Sequence, residues 1–325
     1  MRVLVGDIGG TKTVLAVAET VGDKVQLDHE RRYPSRDFAS LDALLLRYRE
    51  DTGAHCDLAA LAIAGPVRDG VSQATNLPWT VDARAIGRHL GIAAVRLLND
   101  LEAVAWGVPA LGADELAVLH AGDPDAEGNA CIVAAGTGLG QAGLFWDGAR
   151  HHPFATEGGH GDFAPCDERE FALCRFLQRR YGHVSWERVV SGTGIGNLHA
   201  FLLEWRGGVL PDWLRQEMAE GDPSAAIARA AVEARCPICK ETMDLFASLY
   251  GREAGNAGLR YLALGGIYLG GGVAPKNIEL LSSGGFVAGF LDKGRMAPLV
   301  ERMPVKIILE QRTPLFGAAR FMAQA

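Results

Sequence analysis

This 325-residue chain contains no GxxxxGK[ST], so any nucleotide must be held by something other than a P-loop. It also lacks a positive excess: 32 Lys and Arg stand against 39 Asp and Glu, a net charge of −7. That excludes the basic surface that nucleic acid or anionic lipid asks for. Cysteine is sparse, with six in all, and Cys56, Cys131, Cys166 and Cys174 are scattered. They make no disulfide framework of the small secreted kind. Cys236 and Cys239 form one CPIC with no second close pair. A structural zinc takes four ligands and a redox pair a thioredoxin-like setting, so ordinary structural cysteines are expected. Long apolar runs are missing too. The stretch from Leu259 to Pro275 includes Arg260 and five glycines, and it is shorter than the roughly 20 residues of a spanning helix. The opening MRVLVGDIGG has no apolar core with a small-residue cleavage site. A soluble, intracellular protein is the expectation.

What is abundant is glycine, at 41 residues, against a usual share of roughly 7%. The glycines cluster at Gly9-Gly10, Gly136–Gly140, Gly158–Gly161, Gly192–Gly196, Gly265-Gly266 and Gly270–Gly272. Several follow apolar runs, which is the pattern of a strand leading into a turn that comes close to a ligand. Two segments look alike. Val3–Val17 reads as strand, glycine turn, strand, and Cys131–Phe145 repeats the layout. Either two domains share a strand plan or two hairpins match by chance.

The length suggests two domains at roughly 150 residues each, and 48% hydrophobic content supplies sizeable cores. Helical spacing is found over 41–48, 81–90, 168–180, 197–205, 225–234 and 241–261. Strand patterns cover 58–64, 95–98 and 305–309. A closing helix to about Ala323 starts near Pro314, which suits a first helical turn. Strands alternating with helices imply an α/β arrangement.

Three groups of residues point to chemistry. Asp7-x-Gly9-Gly10-Thr11-Lys12 follows a strand. Its glycines can turn backbone N–H groups toward phosphate, Thr11 adds a hydroxyl, and Asp7 can hold a hydrated Mg²⁺. The alternative is a plain hairpin turn. Gly136-Thr137-Gly138-Leu139-Gly140 contains a GxGxxG, but strand rather than helix follows and Glu157 comes too early for a dinucleotide fingerprint. Asn99-Asp100, Glu157-Gly-Gly-His160 and Glu187 are polar residues at element ends. Carboxylates, an amide and an imidazole suit a sugar's hydroxyls when buried, and Asp100 could serve as a general base. Taken singly, each could equally be a turn cap or a surface residue. His160 with His151 and His152 fits no standard metal spacing.

Taken together these residues resemble the bacterial glucokinase family, within the actin, sugar-kinase and heat-shock-chaperone ATPase superfamily. The resemblance rests on VGDIGGTKTVLAV at the start, AIAGPV at Ala62–Val67, LLNDLEAVAWGVP at Leu97–Pro109 and AAGTGLGQA at Ala134–Ala142. It continues through EGGHGDFAP at Glu157–Pro165, HVSWERVVSGTGIGNL at His183–Leu198, LGGGVAPK at Leu269–Lys276 and TPLFGAA at Thr313–Ala319. It implies a two-domain, actin-like (ribonuclease H-like) α/β ATPase fold with an interdomain active-site cleft. The expected domains are 1–110 plus about 301–325, and 111–300.

The activity implied is transfer of phosphate from ATP with Mg²⁺ to the 6-hydroxyl of glucose, the first step of glycolysis, in a cytoplasmic homodimer. Asp100 would be the catalytic base, with Asn99, Glu157, His160 and Glu187 on glucose. Gly9, Gly10, Thr11 and Lys12 and the turn Gly136, Thr137, Gly138 would hold ATP phosphates, with Gly270, Gly271 and Gly272 near adenosine. Asn76, in Asn76-Leu77-Pro78-Trp79, stands near the family's Asn-x-x-Trp and would be a further sugar contact. No CxCGxxGC follows His160, which places the chain in the non-ROK branch, without zinc. The alternatives are a kinase for another hexose or amino sugar, and a sugar-binding protein without catalysis. A sugar-responsive regulator would need a DNA-binding helix pair ahead of residue 3.

Overall fold

A computed structural model describes residues 1–21, 24–74, 77–123 and 125–324. The chain divides into two compact units. The first is Met1–Leu116 with His152–Ala155 and Glu310–Ala325, and the second is Ala117–His151 with Thr156–Leu309.

The first unit is built on β1 (Arg2–Ile8), β2 (Lys12–Val21), β3 (Lys24–Pro34), α1 (Leu41–Thr52) and β4 (Leu58–Ile63). A small antiparallel sheet of β5 (Val67–Arg68), β6 (Val71–Gln73) and β7 (Thr80–Asp82) follows, then α2 (Ala83–Leu90), β8 (Ala94–Asn99) and α3 (Asp100–Gly107). The main sheet has the order β3-β2-β1-β4-β8. β1 and β4 are nearly continuous apolar runs because both faces are covered: Val3, Val5, Ala60, Leu61 and Ile63 are wholly buried. β3, at the edge, alternates and carries Asp28, Glu30, Arg31 and Arg32. Charge on an edge strand discourages pairing with another chain. Helix α2 starts at Ala83 rather than Val81, because the Asp82 carboxylate accepts from the backbone N–H of Arg84 and Ala85.

The second unit is built on β10 (Ala130–Ala135) and β11 (Leu139–Trp146); with β9 (Leu116–His120) and β12 (His151–Thr156) these belong to a six-stranded sheet of order β12-β11-β10-β13-β14-β9. Here β13 is Gly266–Gly270 and β14 is Val305–Ile308. Its helices are α4 (Glu168–Tyr181), α5 (Gly192–Arg206), α6 (Asp212–Glu220), α7 (Pro223–Val232) and α8 (Pro237–Tyr261). Four short ones come after: α9 (Val273–Lys276), α10 (Ile278–Ser282), α11 (Gly285–Leu291) and α12 (Ala297–Val300). The Gly192–Gly196 cluster, expected as a turn after a strand, is instead the first turn of α5. The Ser191 hydroxyl caps it by accepting from Gly194 N–H at 2.8 Å.

The repeated hairpins are real and extend to whole sheets. β1 pairs antiparallel with β2 and parallel with β4; β10 pairs antiparallel with β11 and parallel with β13. The last helix, α13 (Thr313–Gln324), belongs to the first unit and packs on α3. Backbones touch there, since a side chain on Gly317 would collide with the carbonyl of Ala103.

Candidate active site

Strand register sets the first unit's half of the site. Ile8 pairs with Ile63, and Ile63 with Asn99, so β1, β4 and β8 end level. Their carboxyl ends place Asp7 and the Gly9–Thr11 turn on the same sheet edge as Asn99 and Asp100. Open α/β sheets take ligands at this edge. Gly9 N–H bonds the carbonyl of Lys12 at 3.0 Å. Ser35, wholly buried, ties the turn from behind. Its hydroxyl donates to Gly9 O at 2.7 Å and its N–H to Thr11 O at 3.1 Å, while Thr13 donates to Ser35 Oγ. The sequence reading missed Ser35, because nothing in its own neighbourhood links it to a turn far upstream.

Burial pushes the Asp7 carboxyl above the usual carboxylate range, and the Lys12 charge offsets only part of this. Asp100 opens α3 and accepts from Leu101 N–H at 3.0 Å. Asn99 caps the same helix: its oxygen accepts from Leu101 and Glu102, and its amide donates to Gly65 O at 3.2 Å. The amide expected to meet sugar is therefore also a structural cap that fixes where Asp100 stands. Asn76 lies outside the described residues.

In the second unit three turns converge. The Gly136–Gly138 turn closes with Gly136 N–H on Gly138 O at 2.9 Å. The start of α5 docks onto it through Gly192 N–H to Gly136 O at 2.8 Å and the Thr193 hydroxyl to Thr137 O at 3.1 Å. From β13, Gly270 pairs with Ala134. Gly271, at φ +75°, lies so close that a Cβ would overlap Ala135 O. Only glycine combines this left-handed backbone with this approach. Glu187 joins the same group by accepting from Leu139 N–H at 3.0 Å, and its carboxylate fills the space a Cβ on Gly138 would need.

Glu157 and His160 sit beside them. Gly158 and Gly159 lie directly on Gln141 and Leu139 of β11. Phe163 N–H to Val184 O and Trp186 N–H to Gly161 O then stitch this segment to the one carrying Glu187. Glu157 Oε2 and His160 Nε2 are 3.9 Å apart, and their side chains are 71% and 61% exposed. The expectation of a buried polar set is thus met by the half-buried Asn99, Asp100 and Glu187 but not by Glu157 and His160. The last two ride on a glycine-rich ledge whose backbone, not side chains, is packed. His151 is no ligand partner for His160; its Nε2 bonds Gly128 O and its ring packs on Trp146.

Comparison with known proteins fits this arrangement. Residues 4–325 match the glucokinase family model. A glucokinase of Trichormus variabilis is 40% identical over 333 residues, covering 97% of each chain. One from Synechocystis is 39% identical, covering 99% of this chain and 98% of its own. A solved glucokinase from an Antarctic psychrotroph superposes with a TM-score of 0.87 at 29% identity, over 100% of this chain and 99% of that one. With matches of this extent the two sheets are those of the actin-like, two-domain sugar-kinase fold, and the chain belongs to the glucokinase family.

Proposed function

We propose that the residues described above carry out the family's reaction, phosphorylation of glucose by ATP, at the sugar's 6-hydroxyl. The observation that carries the assignment of roles is the level ending of β1, β4 and β8, which puts Asp7 and Asp100 on one edge of the first sheet. Phosphoryl transfer asks for in-line positioning and neutralised charge rather than covalent help. In the first unit Gly9, Gly10, Thr11 and Lys12 face phosphate. In the second, Gly136, Thr137 and Gly138 do so, with Gly270, Gly271 and Gly272 toward adenosine. Asn99, Glu157, His160 and Glu187, with Asn76, take sugar hydroxyls, and Asp100 accepts the proton of the attacking one.

Asp7 suits a divalent cation. It is a half-buried carboxylate with no hydrogen-bond donor among the described residues, and the Lys12 charge offsets only part of the effect of its burial. Mg²⁺ held there, through water, would neutralise phosphate charge. Asp100 needs no help from the metal for its own part: the α3 cap fixes its position, and general-base assistance is worth about 10²–10⁴-fold.

The same reading includes a homodimer working in the cytoplasm. No helix among the described residues is long and apolar enough to cross a membrane, and light scattering at working concentration tests the dimer. For the reaction, purified chain is given glucose, ATP and MgCl₂. ADP and glucose 6-phosphate should appear in equal amounts, with phosphorus NMR placing the phosphate on the 6-oxygen. ADP release unchanged by omitting glucose, or faster turnover of mannose or N-acetylglucosamine, would refute this function.

A further inference from the structure

The CPIC pair does not stand alone. Cys236 caps the N-terminus of α8 and Cys239 lies in its first turn. His199, from the middle of α5, meets them, because α5 and α8 pack on one another in the second unit. The two sulfurs and a ring nitrogen of His199 all lie within 4.8 Å of one another. All three residues are buried, at 2% exposure for His199, 6% for Cys236 and 0% for Cys239. His199 Nε2 is buried without a hydrogen-bond partner among the described residues. An unpaired polar nitrogen in a core is costly and calls for an explanation. A metal ligated by this imidazole would supply one.

We propose that His199, Cys236 and Cys239 form a structural site for a thiophilic divalent cation, Zn²⁺. The spacing Cys-x-x-Cys lets one helix start supply two ligands to one ion. Sulfur and imidazole donors disfavour Mg²⁺ and Ca²⁺, which take oxygen. Charge decides among the soft ions. On binding, the two thiols release their protons to solvent, and two thiolates, one neutral imidazole and a 2+ ion sum to zero. A monovalent ion such as Cu⁺ would leave a net negative charge in a buried place, which is expensive. The Cys236 sulfur already accepts from Cys239 N–H at 3.3 Å, which holds it at the start of the helix. A water or main-chain oxygen completes a tetrahedral shell.

The ion would clamp α5 to α8, and both helices back the β10 hairpin. Gly192 at the start of α5 bonds Gly136 O, and Tyr250 of α8 donates to Val133 O at 3.0 Å. The site would therefore brace the nucleotide-facing turn without touching substrate.

The test is Co²⁺ titration of the full chain, reduced and stripped of metal. Wild type should show thiolate-to-cobalt charge transfer and tetrahedral visible bands saturating at one equivalent, bleached by Zn²⁺. The double variant Cys236→Ser/Cys239→Ser should abolish the charge-transfer band, each single variant should weaken it, and His199→Asn should weaken binding at least about 10-fold. Cys131→Ser and Cys174→Ser should leave it intact. X-ray absorption on Zn²⁺-loaded wild type needs no variant to fold, and should give a shell of two sulfurs with lighter atoms. Absence of the charge-transfer band in reduced wild type, its persistence in the double variant Cys236→Ser/Cys239→Ser, a zinc shell without sulfur, or binding of Cu⁺ but not Co²⁺ would each overturn the proposal.

Discussion

The two glycine hairpins share a strand plan and differ in what surrounds them. In the first unit β1 carries Asp7 near its end, and the turn after it is tied by one buried hydroxyl, Ser35. In the second, the equivalent strand ends on Ala135, an uncharged residue with no exposed surface, and the turn is packed by Glu187, Gly192 and Gly271. One copy of the fold has kept charge at its strand ends; the other has become a close-fitted backbone cradle. The lesson is that one strand plan used twice can place charge at one turn and close backbone packing at the other.

Four measurements press on that contrast. The largest effect should come from the reactive side: Asp100→Asn should lower kcat about 1,000-fold, the middle of the range for general-base assistance. Calorimetric glucose affinity should stay within roughly twofold, since the α3 cap remains. Normal turnover would remove Asp100 from the chemistry. Next comes a paired comparison of packing. Gly271→Ala must adopt an unfavourable φ and push on Ala135 O, and should cost about 3 kcal/mol of stability. Gly9→Ala meets only Lys12 O, at 3.0 Å, and should cost about 1 kcal/mol. Equal losses in denaturant melts would erase the distinction between a packed and an open turn.

Glu157→Ala should weaken glucose binding about 10-fold and leave the melting temperature unchanged, because the side chain is exposed. A lower melting temperature with intact binding would reverse its role. The smallest effect concerns Asp7. Its folded carboxyl binds a proton more tightly than the unfolded one, so the fold loses stability as pH rises through the raised value. Asp7→Asn should therefore melt higher by about 2 °C at neutral pH, the gain fading as pH falls below the ordinary carboxylate range. A variant less stable than wild type at neutral pH would mean Asp7 is held by contacts rather than strained by burial.

Much of this was legible because strand and helix periodicity are local. β4, β8, α4, α8 and β14 fall within a few residues of where spacing puts them, and the doubled hairpin pointed to doubled sheets. What escaped was non-local. The Gly192–Gly196 cluster has the composition of a turn, yet a serine cap and docking on Gly136 make it helix. The bond that Glu187 accepts from Leu139 N–H joins segments far apart in the chain, so its positioning was not legible in the sequence. Likewise a lone CPIC looked inert until packing of two helices added His199. β3, mostly charged, carries little hydrophobic signal, since an edge strand need not bury both faces.

The meeting of Gly317 with Ala103 has a temporal side. Chains leave the ribosome in order and domains fold as units when their parts are out. Strands β1 to β8 emerge early, but α13 arrives only after the entire second unit has been made. The unit begun first is thus finished after the second, and the helix that presents Asp100 waits for its backing until the second unit is out. Premature termination would yield a well-formed second unit beside a first unit unable to seat its carboxylate.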